Sequence, residues 1–320
     1  MAQHFLLSAS ARTLRLKDIY RAGEEKAYET FCAIRWSEND GKPVCPRCGS
    51  VEAYSITTRR KFKCRQAECR HQFSVTSGTI FASRKMDFTD LLGAIAIFVN
   101  AVKGVFALQL SRDLCVQYKT AFVLAHKLRE ALSAEIDQET PLEGDVEVDG
   151  AYFGGHIRPA NEKKDRVDRR LKEHQTGKRR VVVAFRERGG RVVPFICREE
   201  GEGVDIAQHI VSRMATMHAD EASHWDRLHA GWTVGRINHS IAYSTPESCT
   251  NQVESFFSRL RRMVVGQHHG VSAQYLYQYA NEAAWKEDNR RVDNGTAFRK
   301  TLRNALTSPV SRAWAGYWQR

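Results

Sequence analysis

The spacing of hydrophobic residues divides the chain into a mainly helical first part and a second part in which strands and helices alternate. KDIYRAGEEKAYETFCAIRW carries Ile19, Ala27, Phe31 and Ile34 on one helical stripe and predicts one amphipathic helix or two, until SENDGKP breaks the pattern. Helical spacing returns in DFTDLLGAIAIFVNAV, with Asp87 placed to cap it, then in GVFALQLSRDL and YKTAFVLAHKLREAL. The short LCVQ between the last two has the length of the turn in a helix-turn-helix, whose last helix enters the DNA major groove. On that reading Lys119, Thr120, His126, Lys127 and Arg129 are available to DNA. A plain helical bundle predicts the same spacing, and Cys115 stands where a turn glycine is often found.

From Asp145 the period falls to two. Val146 and Val148 alternate with Asp145, Glu147 and Asp149, which predicts a half-buried strand with three carboxylates on one face. Like charges in a row are costly unless something cationic faces them. Such a row is either a solvated strand edge or the metal-holding face of a phosphoryl-transfer site. VVVAF and VVPFIC, joined by RERGG, extend this strand into an antiparallel meander. VDIAQHIVSRM then reads as a helix, ATMHAD as a strand, EASHWDRLHAG as a helix and WTVGRINHS as a strand. Asp220 thus falls at the carboxyl end of a strand, where α/β sheets place active-site groups, or caps the helix that follows. In TNQVESFFSRLRRMVVG, Val253, Phe256, Phe257, Leu260 and Val264 form one stripe, with Glu254, Ser258 and Arg261 on its flank. Packing of the stripe fixes where Glu254 points, although a surface Glu–Arg helix has the same spacing.

Cysteine spacing adds a metal centre. Cys45 and Cys48 are separated by two residues and Cys64 and Cys69 by four, on either side of a predicted hairpin, which reads as a structural zinc ribbon with four thiolate ligands. His71 is the alternative to Cys69 as the fourth ligand. A unit this small has almost no core, so zinc would supply about 10 kcal/mol or more of its folding free energy. Arg59, Arg60, Lys61, Lys63, Arg65 and Arg70 give the ribbon a basic face suited to phosphates. Cys32, Cys115, Cys197 and Cys249 are scattered and read as small core residues.

The 320 residues carry 49 Lys and Arg against 37 Asp and Glu, a net charge of +12, which points to a polyanionic partner. The charge is densest in HIRPANEKKDRVDRRLKEHQTGKRR, which has ten basic and four acidic residues and reads as a loop that orders on nucleic acid. Arg169, Arg170, Lys178, Arg179 and Arg180 lie in it. AIAIFVNAV is too short to span a membrane, and the N-terminus lacks the basic start of a signal peptide. A cytoplasmic protein, held at the nucleoid by DNA, is expected.

An early-strand Asp149, a later strand-end Asp220 and a helical Glu254 are the parts of an RNase H-like nucleotidyl transferase. CPRCGS, QFSVTSGTIF, KGVFALQLSRDL with YKTAF, VDGAYFGG, ADEASHWDRL, INHS, TNQVESFFSRLRR and GQHHGVS follow in order over roughly residues 15–292. In these stretches the chain resembles the DDE-type transposases of bacterial insertion sequences, in the group with an N-terminal zinc ribbon. The resemblance implies an α/β fold: an RNase H-like catalytic domain, a mixed sheet flanked by helices, preceded by the zinc ribbon and a helix-turn-helix-like region. The expected organisation is a helical segment at 1–44, the ribbon at 45–85, the DNA-binding region at 86–135, the catalytic domain at 140–292 and a C-terminal tail at 293–320.

By that resemblance Asp149, Asp220 and Glu254 match the acids that hold two Mg²⁺ or Mn²⁺ ions, and Arg261, seven residues on, matches a basic position. Asn251 competes with Glu254 for the third place; the family more often has lysine at the basic position and often a second acid where Gly150 stands. The implied activity is cleavage at the inverted-repeat ends of a mobile element and joining to target DNA, by a homodimer or higher oligomer on double-stranded DNA. His239, His268 and His269 are assigned DNA contacts. The competing readings are a zinc-ribbon and helix-turn-helix regulator without catalysis, which the three acids argue against, and a related RNase H-like nuclease without strand transfer, which the end-recognition modules argue against.

Overall fold

The computed structural model describes residues 5–136, 138–154, 160–167, 174, 177–238, 240, 248–314 and 316–317. Backbone contacts divide the chain into two units, Met1–Glu135 with Asn289–Arg320, and Ile136–Asp288.

In the first unit, α1 (Leu16–Arg35) answers the question of one helix or two: it is kinked at Gly23, whose φ of +77° breaks the helical backbone. Its stripe buries Ile19, Ala27 and Phe31, and Phe31 meets Phe81 and Phe88 edge-on at 5.8 and 4.8 Å. The ribbon strands β1 (Ala53–Ile56), β2 (Lys61–Cys64) and β3 (Gln72–Phe73) pair antiparallel in that order. The three predicted helices are α2 (Phe88–Asn100), α3 (Ala107–Asp113) and α4 (Tyr118–Ser133). Cys115, between α3 and α4, takes the left-handed φ of +52° that a turn glycine usually takes.

Asp87 holds the N-cap position of α2 without a capping hydrogen bond. That role belongs to Glu24 of α1, whose carboxylate accepts from the Phe88 and Thr89 N–H groups at 3.1 and 2.9 Å and also meets Arg60 of the ribbon at 3.2 Å. Burial alone would raise this carboxyl; the N–H donors outweigh it and lower it.

The last segment differs from the tail expected at 293–320. It contains a helix at Asn294–Thr307, with Phe298, Leu302, Ala305 and Leu306 buried. Asp293 caps it by accepting from the Thr296 N–H at 3.0 Å, and Asn294 Oδ1 accepts from the N–H groups of Thr13 and Leu14 at 2.9 Å each. The two chain termini are therefore tied together in one unit.

The second unit is built on β4 (Asp145–Phe153), β5 (Arg180–Glu187), β6 (Val192–Cys197), β7 (Thr216–Asp220) and β8 (Thr233–Ile237). Their order in the sheet is β6-β5-β4-β7-β8, with β4, β5 and β6 antiparallel and β4, β7 and β8 parallel. This is the mixed sheet of an RNase H-like domain. α5 (Glu202–Ile210) and a 3₁₀ segment (Ser223–Ala230) cover one face, burying Val146, Val148, Val183, Val204 and Trp225. α6 (Asn251–Arg261), a π turn (Arg262–Gln267) and α7 (Ala273–Asp288) cover the other, with Ala151, Phe153, Val182, Phe256 and Leu260 between. Every residue of the predicted α6 stripe is buried. Among the described residues no helix is long and apolar enough to cross a membrane.

One buried acid joins the sheet to α6. Glu147 is 0% exposed. One carboxylate oxygen accepts from the Gln252 and Val253 N–H groups, at 2.8 and 3.0 Å, in the first turn of α6. The other accepts from Arg188 Nε at 3.0 Å and from the Cys249 thiol at 3.6 Å. A buried carboxylate survives only with such compensation, and a helix N-terminus supplies part of it. Glu147→Ala should cost the second unit about 3–5 kcal/mol, because it leaves Arg188 and two helix N–H groups without their acceptor. Asp145→Ala, at the half-exposed end of the same row, should cost about 1 kcal/mol or less. Urea unfolding of the two variants measures the difference; equal losses contradict the anchoring role.

Candidate active site and zinc centre

The row of carboxylates on β4 is divided between structure and chemistry. Asp145 is met by His218 Nε2 at 2.8 Å and Arg188 at 3.7 Å, and Glu147 by α6 and Arg188. Asp149 has no such cation. Its Oδ1 accepts from the Gly150 N–H at 2.7 Å. β4 and β7 pair in parallel with Glu147 opposite His218, and two residues further along both strands stand Asp149 and Asp220. Asp220 ends β7, and its Oδ1 accepts from the Ala222 N–H at 3.1 Å in the turn that follows. Glu254 comes from the first turn of α6, where the Thr250 hydroxyl donates to its Oε1 at 2.9 Å.

These three acids share one electrostatic environment. Burial pushes the Asp149 carboxyl up to about 7; the Gly150 N–H works against this, and the negative charges of Asp220, Glu200 and Glu254 add to it. A carboxylate so crowded would be relieved by a cation. Divalent magnesium or manganese fits this donor set of hard oxygens. Among the described residues only the four cysteines bring three or more potential ligand atoms within 4.8 Å of one another, so the carboxylates stand further apart than that.

Glu200 was not anticipated from the sequence. It follows β6 and precedes α5, and its side chain lies over Gly150, where a β-carbon would come within 2.5 Å of its Cγ. Nothing local in CREEGEG marks it; its place depends on how the β6–α5 connection folds back. Burial and the charge of Asp220 raise its carboxyl, with Arg179 opposing.

The other expected contacts are distributed unevenly. Asn251 and Arg261 are exposed on α6, with the Arg261 guanidinium 5.8 Å from the Phe257 ring centre. Lys178 is exposed, Arg179 lies 4.4 Å over the Tyr152 ring, and Arg180 donates to the Gly177 carbonyl at 2.8 Å. Arg169, Arg170 and His239 lie outside the described residues. Lys119 and Thr120 are exposed and Lys127 half-buried on α4, where they line a cavity with Trp314 and Tyr317. Arg129 is 1% exposed and donates to the Val105 carbonyl at 3.4 Å, and His126 is buried against Trp314, with ring centres 4.2 Å apart. Both face the core of the helical unit, which withdraws them from the DNA contacts expected of α4. The sequence signal misled because a heptad-like face can hold a cation once its charge finds a carbonyl and a ring.

In the ribbon, Cys45 Sγ lies 3.7 Å from Cys69 Sγ and Cys48 Sγ 3.5 Å from Cys64 Sγ. Tetrahedral zinc with bonds of about 2.3 Å separates its sulfurs by about 3.8 Å, so the four cysteines fit the ion. Burial alone would raise the Cys45 thiol; the Arg47 and Cys48 N–H groups lower it to about 7, toward the thiolate that zinc requires. Gly49 and Arg70, each just after a second cysteine, adopt φ of +73° and +43°, so the four-residue gap closes with the same left-handed step as the two-residue gap. His71 stacks on Phe73 at 6.2 Å and stands outside the cluster, which favours Cys69.

Two outcomes follow from these sites. Purified protein should contain one zinc per chain by elemental analysis, and Cys45→Ser or Cys64→Ser should release it and unfold the ribbon; a folded ribbon without zinc contradicts the assignment. The Asp149 carboxyl has a folded-state value above its unfolded one, so the folded chain retains a proton that the unfolded chain has lost. Its contribution to stability is intact below about pH 4 and falls as the pH rises toward 7. Without divalent ions, Asp149→Asn should therefore melt a few degrees above the wild type at pH 8, with the gap closing toward pH 4. Calorimetric melting across that range checks it.

Residues 22–72 match the family model described as the transposase zinc-ribbon domain, and residues 141–288 match that described as the ISXO2-like transposase domain. No curated protein and no solved structure gives a significant match. The second model ends where the second structural unit ends, at Asp288, and begins five residues into it. With both modules matched in order, the chain belongs to the DDE-type insertion-sequence transposases that carry an N-terminal zinc ribbon.

Proposed function

We propose that this transposase recognises the inverted-repeat ends of a mobile element, cleaves DNA there and joins the freed end to target DNA, with Asp149, Asp220 and Glu254 as the divalent-ion ligands. The observation that supports the reading is the parallel β4–β7 register, whose last pair, Glu147 and His218, stands two residues before Asp149 and Asp220, together with the charges of Asp220 and Glu254 acting on Asp149. Bound magnesium or manganese supplies charge neutralisation at the scissile phosphate and activation of the attacking water or 3′-hydroxyl. Asp149, already short of compensating charge, gains most from the ion. Asp220 is fixed by its turn and Glu254 by Thr250, so neither needs to reorganise. Exposed Arg261, two turns along α6 from Glu254, is placed to meet DNA phosphates. Lys178, exposed, and Arg179, over Tyr152, supply further basic charge for phosphates.

The zinc ribbon and α4, through Lys119, Thr120 and Lys127, supply recognition of double-stranded ends. Two ends and one set of acids per chain call for a homodimer or larger assembly on DNA. The protein acts in the cytoplasm, at the nucleoid.

The test is incubation of the full-length protein with Mg²⁺ and DNA carrying the repeats that flank its own locus. Wild type should nick at the repeat boundary. Asp149→Asn, Asp220→Asn and Glu254→Gln should each lose nicking while still shifting the DNA in a gel. Asn251→Ala should retain at least part of it, because Asn251 stands exposed at the start of α6. A dead Asn251→Ala beside an active Glu254→Gln moves the third ligand to Asn251. A wild-type protein that binds the ends and never nicks them is a regulator instead.

A further inference from the structure

The helical unit contains a cavity of about 340 Å³, bounded by residues 80–86, by Leu91 of α2, by α4 and by Trp314, Gly316 and Tyr317. Pockets of about 300–1,000 Å³ take a small organic group rather than a helix or a strand. The lining has two parts. Phe81, Leu91, Leu124 and Trp314 are buried and supply an apolar surface. Trp314 and Tyr317, with ring centres 4.9 Å apart, bring two aromatic rings to it. Arg84, Lys85, Lys119 and Lys127 supply four cations, and no acid lines the cavity among the described residues. Aromatic rings beside a cluster of cations match a base and the phosphates attached to it.

The fold itself does not use all of this charge. Arg84 is engaged: its guanidinium lies 3.5 Å over the Phe88 ring and donates to the Met86 carbonyl. Lys85 and Lys127 make no hydrogen bond or ion pair with any described residue. Burial lowers the Lys127 ammonium, and the charge of Glu130, one turn along α4, opposes this without forming an ion pair. A half-buried ammonium without a partner is costly, and an anion entering the cavity offsets the cost.

A base that is paired and stacked in a duplex cannot enter such a space, whereas an unpaired one can. Lys85 and Lys119 are exposed and Lys127 is half-buried, so the positive charge continues from the interior to the surface. That distribution suits a nucleotide with a phosphate on either side, as in a strand, better than a free nucleotide whose charge sits at one end.

We propose that this cavity receives one unpaired nucleotide of a DNA strand, with its base among Leu124, Trp314 and Tyr317 and its phosphates at Lys85, Lys119 and Lys127. This deepens, and rests on, the reading of α4 as a helix that faces DNA. An α4 that only reads a groove makes a different prediction, because its lysines then hold phosphates whether or not a base is attached.

The experiment measures binding of the full-length, zinc-loaded protein by fluorescence anisotropy to three labelled DNAs: a thymidine dodecamer, a dodecamer of abasic sites with the same phosphates, and a blunt repeat-end duplex. The proteins are wild type, Lys127→Gln, Val123→Phe and Tyr317→Ala, and circular dichroism melting establishes that each is folded. Wild type should bind the thymidine strand about tenfold more tightly than the abasic one. Val123→Phe, which fills the cavity, and Tyr317→Ala, which removes one of its rings, should each bring that ratio toward one. Lys127→Gln should weaken binding of both strands. Equal affinity of wild type for the two strands, or a ratio unchanged in both cavity variants, overturns the proposal. When the blunt duplex is still bound and Lys127→Gln weakens it, that failure leaves α4 as a DNA-facing helix. A wild type that binds none of the three DNAs overturns the reading of α4 and the cavity proposal together. Displacement of the thymidine strand by free thymidine monophosphate at the same phosphate concentration overturns the strand as the occupant. If Val123→Phe does not fold, Tyr317→Ala decides by the same ratio.

Discussion

The Glu147 carboxylate beneath the N-terminus of α6 is the contact that seats α6 on the sheet of the second unit. It is buried, and it is tolerable only because two helix N–H groups, Arg188 and the Cys249 thiol converge on it. Those bonds fix where the first turn of α6 begins relative to β4. Asp149 is two residues from Glu147 on the same face, and Glu254 is in the helical turn that Glu147 holds. The hydrophobic stripe of α6 sets its roll against the sheet; Glu147 sets its position along it. The helical unit uses the same device, with Glu24 of α1 accepting from the first turn of α2. In each unit a distant glutamate replaces a local cap, and it registers one element against another.

The acids of β4 then show how a single periodic pattern is divided between folding and chemistry. Asp145 and Glu147 meet His218, Arg188 and a helix N-terminus, so their charge is compensated within the chain. Asp149 is buried among further acids, which raise its carboxyl and make its charge costly. On the proposed assignment, the stability forgone at Asp149 would return as affinity for a divalent ion. The ribbon makes a similar exchange, since four thiols brought to zinc spacing stabilise little until the metal binds.

Much of this was legible in the sequence because it depends on local spacing. The alternation around Asp149, the apolar stripe of α6 and the cysteine pairs each appear within a few residues, and the resemblance of several motifs in order implied the mixed sheet. The remainder depends on tertiary placement. Glu147 reads as one acid in a row until α6 is seen above it, and Glu200 is an unremarkable loop acid until the backbone at Gly150 comes beneath it. Arg129 sits at a helical position suited to DNA, and only folding shows its guanidinium turned to the Val105 carbonyl. The final helix, Asn294–Thr307, carries Phe298, Leu302 and Leu306 at helical spacing and an Asp293 cap, a signal strong enough to have been read.

On the proposed function, Asp149, Asp220 and Glu254 hold the divalent ions. The most direct measurement is a manganese anomalous difference map from crystals of the protein bound to a repeat-end DNA duplex. Anomalous density bounded by the carboxylates of Asp149, Asp220 and Glu254 is expected, with α6 still seated on Glu147. Anomalous density elsewhere in the chain, or a manganese ion with Asp149 outside its ligands, would contradict it.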